Sequence, residues 1–424
     1  MTQNILRAMI RKTKRGDPMH KKLWNKDYIL LLQGSAVSTI GDLMYSVAIG
    51  YWVYAQTGSN ALMGVMSSIS MFISMFLSPF CGSIVDKCNR KWVIVGIDTL
   101  QGILMLTVGI LAYQNALSVL MVLITALLAA FGSVLYSPAI STLMIDIIPR
   151  DDMVRGQSLH SGINSLINMV GTAFSGAMVA FFGVPLIVVI NGISNLYSAV
   201  TELFVTVPRT IQQGTQVTVK GISRDILQAI KSIFSDSCLK LFVPCVLILN
   251  FLGAGPFALM LPFCMEKGFT VEMYGYASSV YAAASVLCVL VLGAVKLSAR
   301  VRFRVMSIGF SLSVPFFVAV FVSGNFLFMC IMIFIAGLLN TAGNTIFSAS
   351  LMLALPEENR SAILGFIQSA SVGGAALSAL VYGIVGELLP LWLVFTIGNS
   401  ISLVPMLYLC FHPSTKEFVQ HHKE

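Results

Sequence analysis

The sequence predicts an all-α membrane protein in which twelve transmembrane helices form two pseudo-symmetric six-helix bundles. Three observations support this prediction: the apolar composition, the number of long apolar segments, and the placement of the charged residues. The chain has 424 residues, of which 57% are hydrophobic and 10% are charged, whereas soluble domains carry about 25% charged residues. Because a lipid-exposed backbone must satisfy its own hydrogen bonds, we expect the apolar segments to be helices.

Twelve apolar segments are long enough to cross a bilayer, since a helical span needs about 20 residues. They are residues 28–55, 61–85, 92–113, 117–145, 157–181, 184–207, 239–265, 273–297, 302–323, 326–352, 361–386 and 390–411. An even number of spans places both ends of the chain on the same side of the membrane.

The basic residues lie almost entirely on one side of this arrangement. Of the 26 Lys and Arg residues, 25 fall before the first segment, in alternate loops or after the last segment, and Lys267 is the exception. Loops rich in Lys and Arg stay in the cytoplasm, so we expect both termini there, in a bacterial cytoplasmic membrane. Topology therefore explains the net charge of +8, and the expected partner is the lipid bilayer, not nucleic acid.

One polar segment divides the chain into two halves. We predict a basic cytoplasmic tail at 1–27, a six-helix bundle at 28–207, a cytoplasmic linker at 208–238, a second six-helix bundle at 239–411 and a cytoplasmic tail at 412–424. Isoleucines recur at helical spacing in the linker, which favours a helix resting on the membrane surface.

The two halves carry a similar motif after their fourth helix. The stretches "IIPRDDMVRGQSL" (147–159) and "ALPEENRSAILGF" (354–366) each place a proline before acidic residues, an arginine and a helix rich in small residues. Internal repeats of this size are typical of secondary transporters. The alternative is a chance similarity between two short loops, but the matching position within each half favours duplication.

A charged stretch, "GSIVDKCNRKWVI" (82–94), joins the second and third segments. Gly82 allows two helices to approach closely. Asp86 is placed to accept hydrogen bonds from Arg90 or from the N-terminus of a neighbouring helix, so the stretch is a candidate gate. The alternative is a basic turn that only sets topology. That reading explains Arg90 and Lys91, but it does not explain Gly82 or Asp86.

This stretch resembles the signature between helices two and three of the major facilitator superfamily. Residues 41–64 and 137–162 are similar to the branch of that family that contains macrolide efflux proteins and the enterobactin exporter. The turn at 293–304 keeps the basic residues of a second signature but lacks its acid. The sequence departs from the family's drug antiporters at Thr172, where proline is common, and at Gln101, where arginine is frequent.

The resemblance implies two six-helix bundles around a central cavity that opens to one side of the membrane at a time. It also implies export of amphipathic small molecules, driven by a gradient of protons or another cation. Asp86 and Arg90 would then belong to a network that stabilises the gate and meets helix eleven. We expect a monomer that needs no cofactor and no metal.

Four acidic residues lie within or near the predicted spans, where such residues are rare and default to functional roles. Asp42 is ten residues into its span, about 15 Å deep at 1.5 Å per residue, which is the middle of the membrane. Asp98, Asp146 and Glu202 lie nearer the cytoplasmic ends, where we expect them to cap helices or pair with loop arginines.

Asp42 is the predicted coupling residue for a proton or another cation. It shares a polar helical face with Ser35, Ser38, Tyr45 and Ser46, and a carboxyl group there can exchange a proton as its access to water alternates. The alternative is a structural aspartate bonded to a neighbouring helix.

In the family, helices one, four, seven and ten line the cavity, and each of these spans carries polar candidates here. The candidates are Ser38, Tyr45, Tyr136, Ser137, Asn250, Asn340 and Asn344. The alternative role for Asn and Ser in a span is packing between helices. The stretch "GAGP" (253–256) is expected to loosen or kink the seventh helix.

Three classes of function compete, and a carrier fits best. A membrane enzyme is disfavoured, because none of the five histidines lies deep in a span and no H-E-x-x-H or G-x-S-x-G motif occurs. A scaffold without transport activity is opposed by the polar faces of the first and tenth spans. Within the carrier class, the alternatives are an importer or exporter of a specific metabolite, lipid or siderophore.

Overall fold

A computed structural model describes residues 23–149, 152–206, 230–231, 233–234, 239–295, 298–354 and 360–411. The predicted tails, apart from 23–27, and most of the predicted linker lie outside these residues. The described part of the chain is almost entirely helical, as the apolar segments predicted.

The described helices follow the twelve predicted segments. They are α1 (Lys26–Thr57), α2 (Asn60–Lys87), α3 (Arg90–Tyr113), α4 (Val119–Ile147), α5 and α6 (the two arms of Met153–Leu203), α7 (Leu239–Ala258 with Met260–Glu266), α8 (Val271–Ala294), α9 (Ala299–Val322), α10 (Phe326–Ala354), α11 (Arg360–Leu388) and α12 (Leu391–Phe411). By length and composition alone, nine of the described helices can cross a membrane, or ten with the bent α7. The other two are α1 and α5, whose sequences are more polar.

Two glycine or proline sites interrupt the helices. Gly183 separates α5 from α6 because its backbone adopts φ 74° and ψ 162°, a conformation that only glycine adopts readily. The bend in α7 is 50° and falls at Leu259, three residues beyond the predicted "GAGP" stretch. Pro256 cannot donate to the carbonyl oxygen of Leu252, and the hydroxyl of Tyr382 on α11 donates to that oxygen at 2.9 Å.

Small residues bring α6 close to two neighbours in the N-terminal bundle, α1–α6. Gly41 on α1 lies directly against Ser194 and Asn191, and Gly102 on α3 lies against the backbone of Gly192. Side chains larger than hydrogen at these glycines would collide with α6. Close backbone approach at small residues is the common way in which membrane helices associate, and it places α6 between α1 and α3.

The two bundles contact each other through α2 with α11 and through α5 with α8. We call the face at which α1 begins and α12 ends the termini face, and the opposite face the far face. Gly64 packs against the backbone of Ala379, and Gly176 packs against α8 in the same way. Ser68 donates to the carbonyl oxygen of Ala376 at 2.9 Å. All these contacts lie toward the far face, so the bundles are closed against each other there.

The far face is also joined by a helix cap that crosses between the bundles. A carboxylate oxygen of Glu387 on α11 accepts from the hydroxyl of Ser59 at 2.6 Å and from the amide of Ala61 at 2.8 Å. The side chain of Asn60 donates to the carbonyl oxygen of Gly386 at 2.9 Å. A carboxylate is favourable at this position because the first amides of α2 have no partners within the helix.

Candidate functional site

Asp42 lies midway along α1 on the side that faces α6. Its side chain is exposed. Ser38 and Ser35, which lie one and two turns before it, are buried on the side of α1 that packs against α6. Asn195 of α6 donates to a carboxylate oxygen of Asp42 at 3.4 Å, and Asn191 accepts from the same amide group at 2.9 Å. Asp42 is therefore an exposed acid whose described hydrogen-bond partner is uncharged.

Asp98 and Glu202 form a second group of acids in the same bundle. They are 2% and 1% exposed and lie close enough to interact electrostatically. The hydroxyls of Tyr136 and Ser198 each donate to one oxygen of Glu202 at 3.4 Å, and Ser198 also lies close to Asp98. We call these four residues the buried acid cluster.

The buried acid cluster differs from the sequence-based expectation in its partners. Asp98 and Glu202 lie toward the termini face, as their expected depth requires, but neither forms a described ion pair with an arginine. Instead, the packing of α3 on α6 brings the two carboxyl groups together. One signal in the sequence points to the cluster: Asn191, Asn195, Ser198 and Glu202 recur at helical spacing and share one face of α6.

Asp146 does pair with an arginine from the charged stretch. Its carboxylate forms an ion pair with Arg90, and the two side chains are only 12% and 7% exposed. Lys91 donates to the carbonyl oxygen of Leu203 at 2.6 Å, at the C-terminus of α6, where a cation is favourable. The side chain of Asp86 and the surroundings of Gly82 lie outside the described part of the structure, so their gating role stays a prediction.

A cavity of about 800 Å³ lies mainly within the C-terminal bundle, α7–α12. Helices α7–α10 and α12 supply its walls, and α5 adds Ser165 and Asn168 from the other bundle. Three predicted cavity residues line it, namely Asn250, Asn340 and Asn344. None of the described residues that line the cavity carries a charge.

The cavity combines aromatic walls with a small polar group. Phe257 lies edge-on to both Tyr281 and Phe317, with ring centroids 5.3 Å and 6.2 Å apart. The side chain of Asn340 accepts from the amide of Asn344 at 2.9 Å and from the hydroxyl of Tyr281 at 3.5 Å. Apolar walls with a few placed polar groups are typical of small-molecule sites.

The other four predicted cavity residues do not line this cavity. Ser38 is buried in the contact between α1 and α6 and donates to the carbonyl oxygen of Ser35. Tyr136 belongs to the buried acid cluster. Ser137 is exposed on α4, and Tyr45 packs against the core of the two bundles. Within the described part of the chain, no group of three or more His, Cys, Asp or Glu is arranged to hold a metal ion.

Sequence comparison relates the chain to efflux proteins at low identity. It is 21% identical over 186 residues to macrolide efflux protein A of Streptococcus pyogenes, which covers 44% of this chain and 46% of that protein. It is 28% identical over 160 residues to multidrug efflux pump Tap of Mycobacterium tuberculosis, which covers 36% of this chain and 38% of that protein. The chain thus matches under half the length of these relatives.

Solved structures with the same fold match almost the whole chain. The nucleoside transporter NupG superposes with a TM-score of 0.68 at 16% identity, covering 93% of this chain and 99% of that one. A bacterial homolog of the human lysosomal transporter Spinster, in an inward-facing conformation, gives a TM-score of 0.66 at 14% identity, covering 93% and 96%.

A family model for the Major Facilitator Superfamily matches residues 31–263 and again residues 244–422. The two matches correspond to the two bundles, and together they cover nearly all of the described helices. The chain therefore belongs to the Major Facilitator Superfamily, a family of transporters rather than enzymes.

Proposed function

We propose that the protein is a monomeric secondary active transporter that exports amphipathic small molecules from a bacterial cell in exchange for protons. The observation that carries this proposal is the exposed carboxyl group of Asp42 in the middle of α1, held by the neutral amide of Asn195. An acid at this depth is a default candidate for a proton site.

The cavity of the C-terminal bundle supports the proposed substrate class. A volume of about 800 Å³ falls within the range of about 300–1,000 Å³ that is usual for small-molecule sites. Aromatic walls favour apolar rings, and the amides of Asn250, Asn340 and Asn344 offer both donors and acceptors. The similarity to macrolide efflux protein A and to multidrug efflux pump Tap favours drug-like molecules as substrates and export as the direction.

The direction of transport is tested with inverted vesicles from a bacterial host that lacks its own efflux pumps. With an acidic lumen, an exporter coupled to protons accumulates radiolabelled erythromycin in the lumen, and nigericin abolishes the accumulation by collapsing the pH gradient. Vesicles without the protein are the control. If a panel of macrolides and cationic dyes accumulates only in intact cells, the protein is an importer.

The topology is tested separately. The 25-to-1 bias of basic residues predicts that the termini face lies in the cytoplasm. Cys88 is exposed at the end of α2, and Asn115 is exposed in the loop after α3. We expect an impermeant maleimide to label Asn115→Cys, but not Cys88, in intact cells. Labelling of Cys88 alone contradicts the proposed orientation.

A further inference from the structure

We infer that the Asp98–Glu202 pair of the buried acid cluster is a second proton-binding site, which takes up and releases a proton during the same cycle as Asp42. This inference rests on the proposed coupling role of Asp42 and adds a site that the depth of the acids did not predict.

The polar face of α6 connects the two sites. Asn195, Ser198 and Glu202 lie on one side of the helix and are 1%, 0% and 1% exposed. At 1.5 Å of rise per residue, Asn195 and Glu202 are about 10 Å apart along the axis. Asn195 binds Asp42 at one end of this face, and Ser198 and Glu202 lie near Asp98 toward the other end, close enough to interact electrostatically.

The position of Glu202 gives the pair a short route to the termini face. Glu202 is the penultimate residue of α6, which ends at Leu203, and Lys91 caps that end. Asp42, in contrast, lies midway along α1 and is exposed. A proton held by the pair therefore lies between Asp42 and the termini face, away from the aromatic cavity.

Several buried polar atoms of these residues have no hydrogen-bond partner among the described protein atoms. They include one oxygen each of Asp98, Asn195 and Glu202. Asn195 is 1% exposed, and its amide nitrogen is directed to Asp42. A carboxyl group that gains a proton becomes a donor, so protonation supplies what these acceptor oxygens need.

Electrostatics also favours a shared proton. Two carboxylates at one buried site disfavour each other's charged form. The titratable groups that face the pair from the packed helices are Asp42 on α1 and Tyr136 on α4, and both add negative charge or none. Arg90, about two turns before Asp98 on α3, is engaged with Asp146. The pair is therefore stable when one of its two carboxyl groups holds a proton.

The first test measures protonation without any substrate. Infrared spectra of the purified protein in detergent are recorded across a pH series, and the carboxylic C=O stretching band reports protonated acids. We expect the band that persists at neutral pH to lose about half of its intensity or more in Glu202→Gln and in Asp98→Asn. Glu272→Gln, an acid outside the cluster in the first turn of α8, is the matched control. An unchanged band in both cluster variants overturns the inference.

The second test separates coupling from folding. In inverted vesicles, we expect Glu202→Gln to lower gradient-driven erythromycin accumulation about tenfold, while exchange between equal pools and the amount of protein stay at the wild-type level. Equal losses of accumulation, exchange and protein mean a structural role and overturn the inference. If Asp42→Asn loses gradient-driven accumulation but Glu202→Gln keeps it, only the inference of a second site is wrong. If Asp42→Asn keeps gradient-driven accumulation, the proposed coupling role of Asp42 is wrong, and the infrared result still decides the second site.

Discussion

The two bundles share a helix pattern but differ in where they place their acids. In the N-terminal bundle, Asp42, Asp98 and Glu202 lie inside, along α6 and its neighbours. Every acid that the structure describes in the C-terminal bundle lies at the far face, at the end or start of a helix: these are Glu266, Glu272 and Glu387. The large cavity lies mainly in the C-terminal bundle, and none of its described lining residues carries a charge.

This difference indicates that the two bundles have different roles, although their folds are similar. A charge inside the substrate cavity would bind strongly to one charge class of molecule and reject others. With the acids in the other bundle, the described walls of the cavity are neutral and aromatic. In the proposed transport cycle, protons would then be exchanged without the substrate having to match a fixed charge.

We expect the largest effect on transport from neutralising the exposed acid, Asp42. We expect Asp42→Asn to reduce pH-gradient-driven accumulation in inverted vesicles by about a hundredfold, which is the usual size of an effect from a group that transfers protons. Asparagine keeps the volume and can still contact Asn195, but it cannot take up a proton. Exchange between equal substrate pools should survive, because exchange needs no net proton movement.

Glu272→Gln is the matched control for Asp42→Asn, since it removes an acid from the other bundle. It should transport at the wild-type rate. Full gradient-driven accumulation by Asp42→Asn would show that Asp42 is not the coupling site and would leave Asp98 and Glu202 as the remaining candidates. A loss of accumulation that only follows a loss of protein in the membrane would assign Asp42 a structural role.

The helices could be predicted from the sequence because their cause is local. Long apolar segments fixed the number and approximate ends of the spans, and the boundary predicted between 181 and 184 coincides with the break at Gly183. The bend in α7 was predicted a few residues too early. The hydroxyl of Tyr382, a residue 130 positions away in the sequence, donates to the carbonyl oxygen of Leu252 one turn before Pro256, and a contact of this kind cannot be predicted from the local sequence.

The site was less predictable because it depends on which helices pack together. The depth of each acid follows from counting residues along one helix, and that argument separated Asp42 from Asp98 and Glu202 but could not predict that the last two lie together. Their contact requires α3 to lie on α6, which the close approach of Gly102 and Gly192 allows. Three of the seven predicted cavity residues line the observed cavity, all of them from the C-terminal bundle, where polar residues in an apolar half stand out.

The far-face cap gives a test of what the acids of the C-terminal bundle do. We expect Glu387→Gln to weaken the closed far face, because a neutral amide accepts more weakly than a carboxylate from Ser59 and Ala61. A loss of about 1.4 kcal/mol changes the ratio of open to closed states about tenfold. The measurement is labelling of Ser278→Cys, in the cavity, by an impermeant maleimide added outside intact cells.

Faster labelling in the Glu387→Gln background, with Glu272→Gln unchanged, would assign Glu387 to the closure between bundles. Equal labelling rates in all three backgrounds would mean that the packing of α2 on α11 holds the far face closed without this cap. Neither result bears on the proposed role of Asp42, because this experiment measures only the closure of the far face.

We expect the smallest effect from adding a charge to the neutral walls of the cavity. Asn344 is exposed in the cavity and bonds only Asn340 of the same helix among the described contacts. Asn344→Asp keeps the size of the side chain and adds a carboxylate to the neutral walls. We expect the preference for a cationic dye such as ethidium over a neutral macrolide derivative to rise about fivefold, since a charge pair near a protein surface contributes only a few kcal/mol before desolvation. Asn344→Gln, which adds length without charge, controls for shape and should change transport of both substrates alike. If Asn344→Asp also changes both substrates alike, the cavity in the C-terminal bundle does not select substrates by charge, and the neutral walls have another cause.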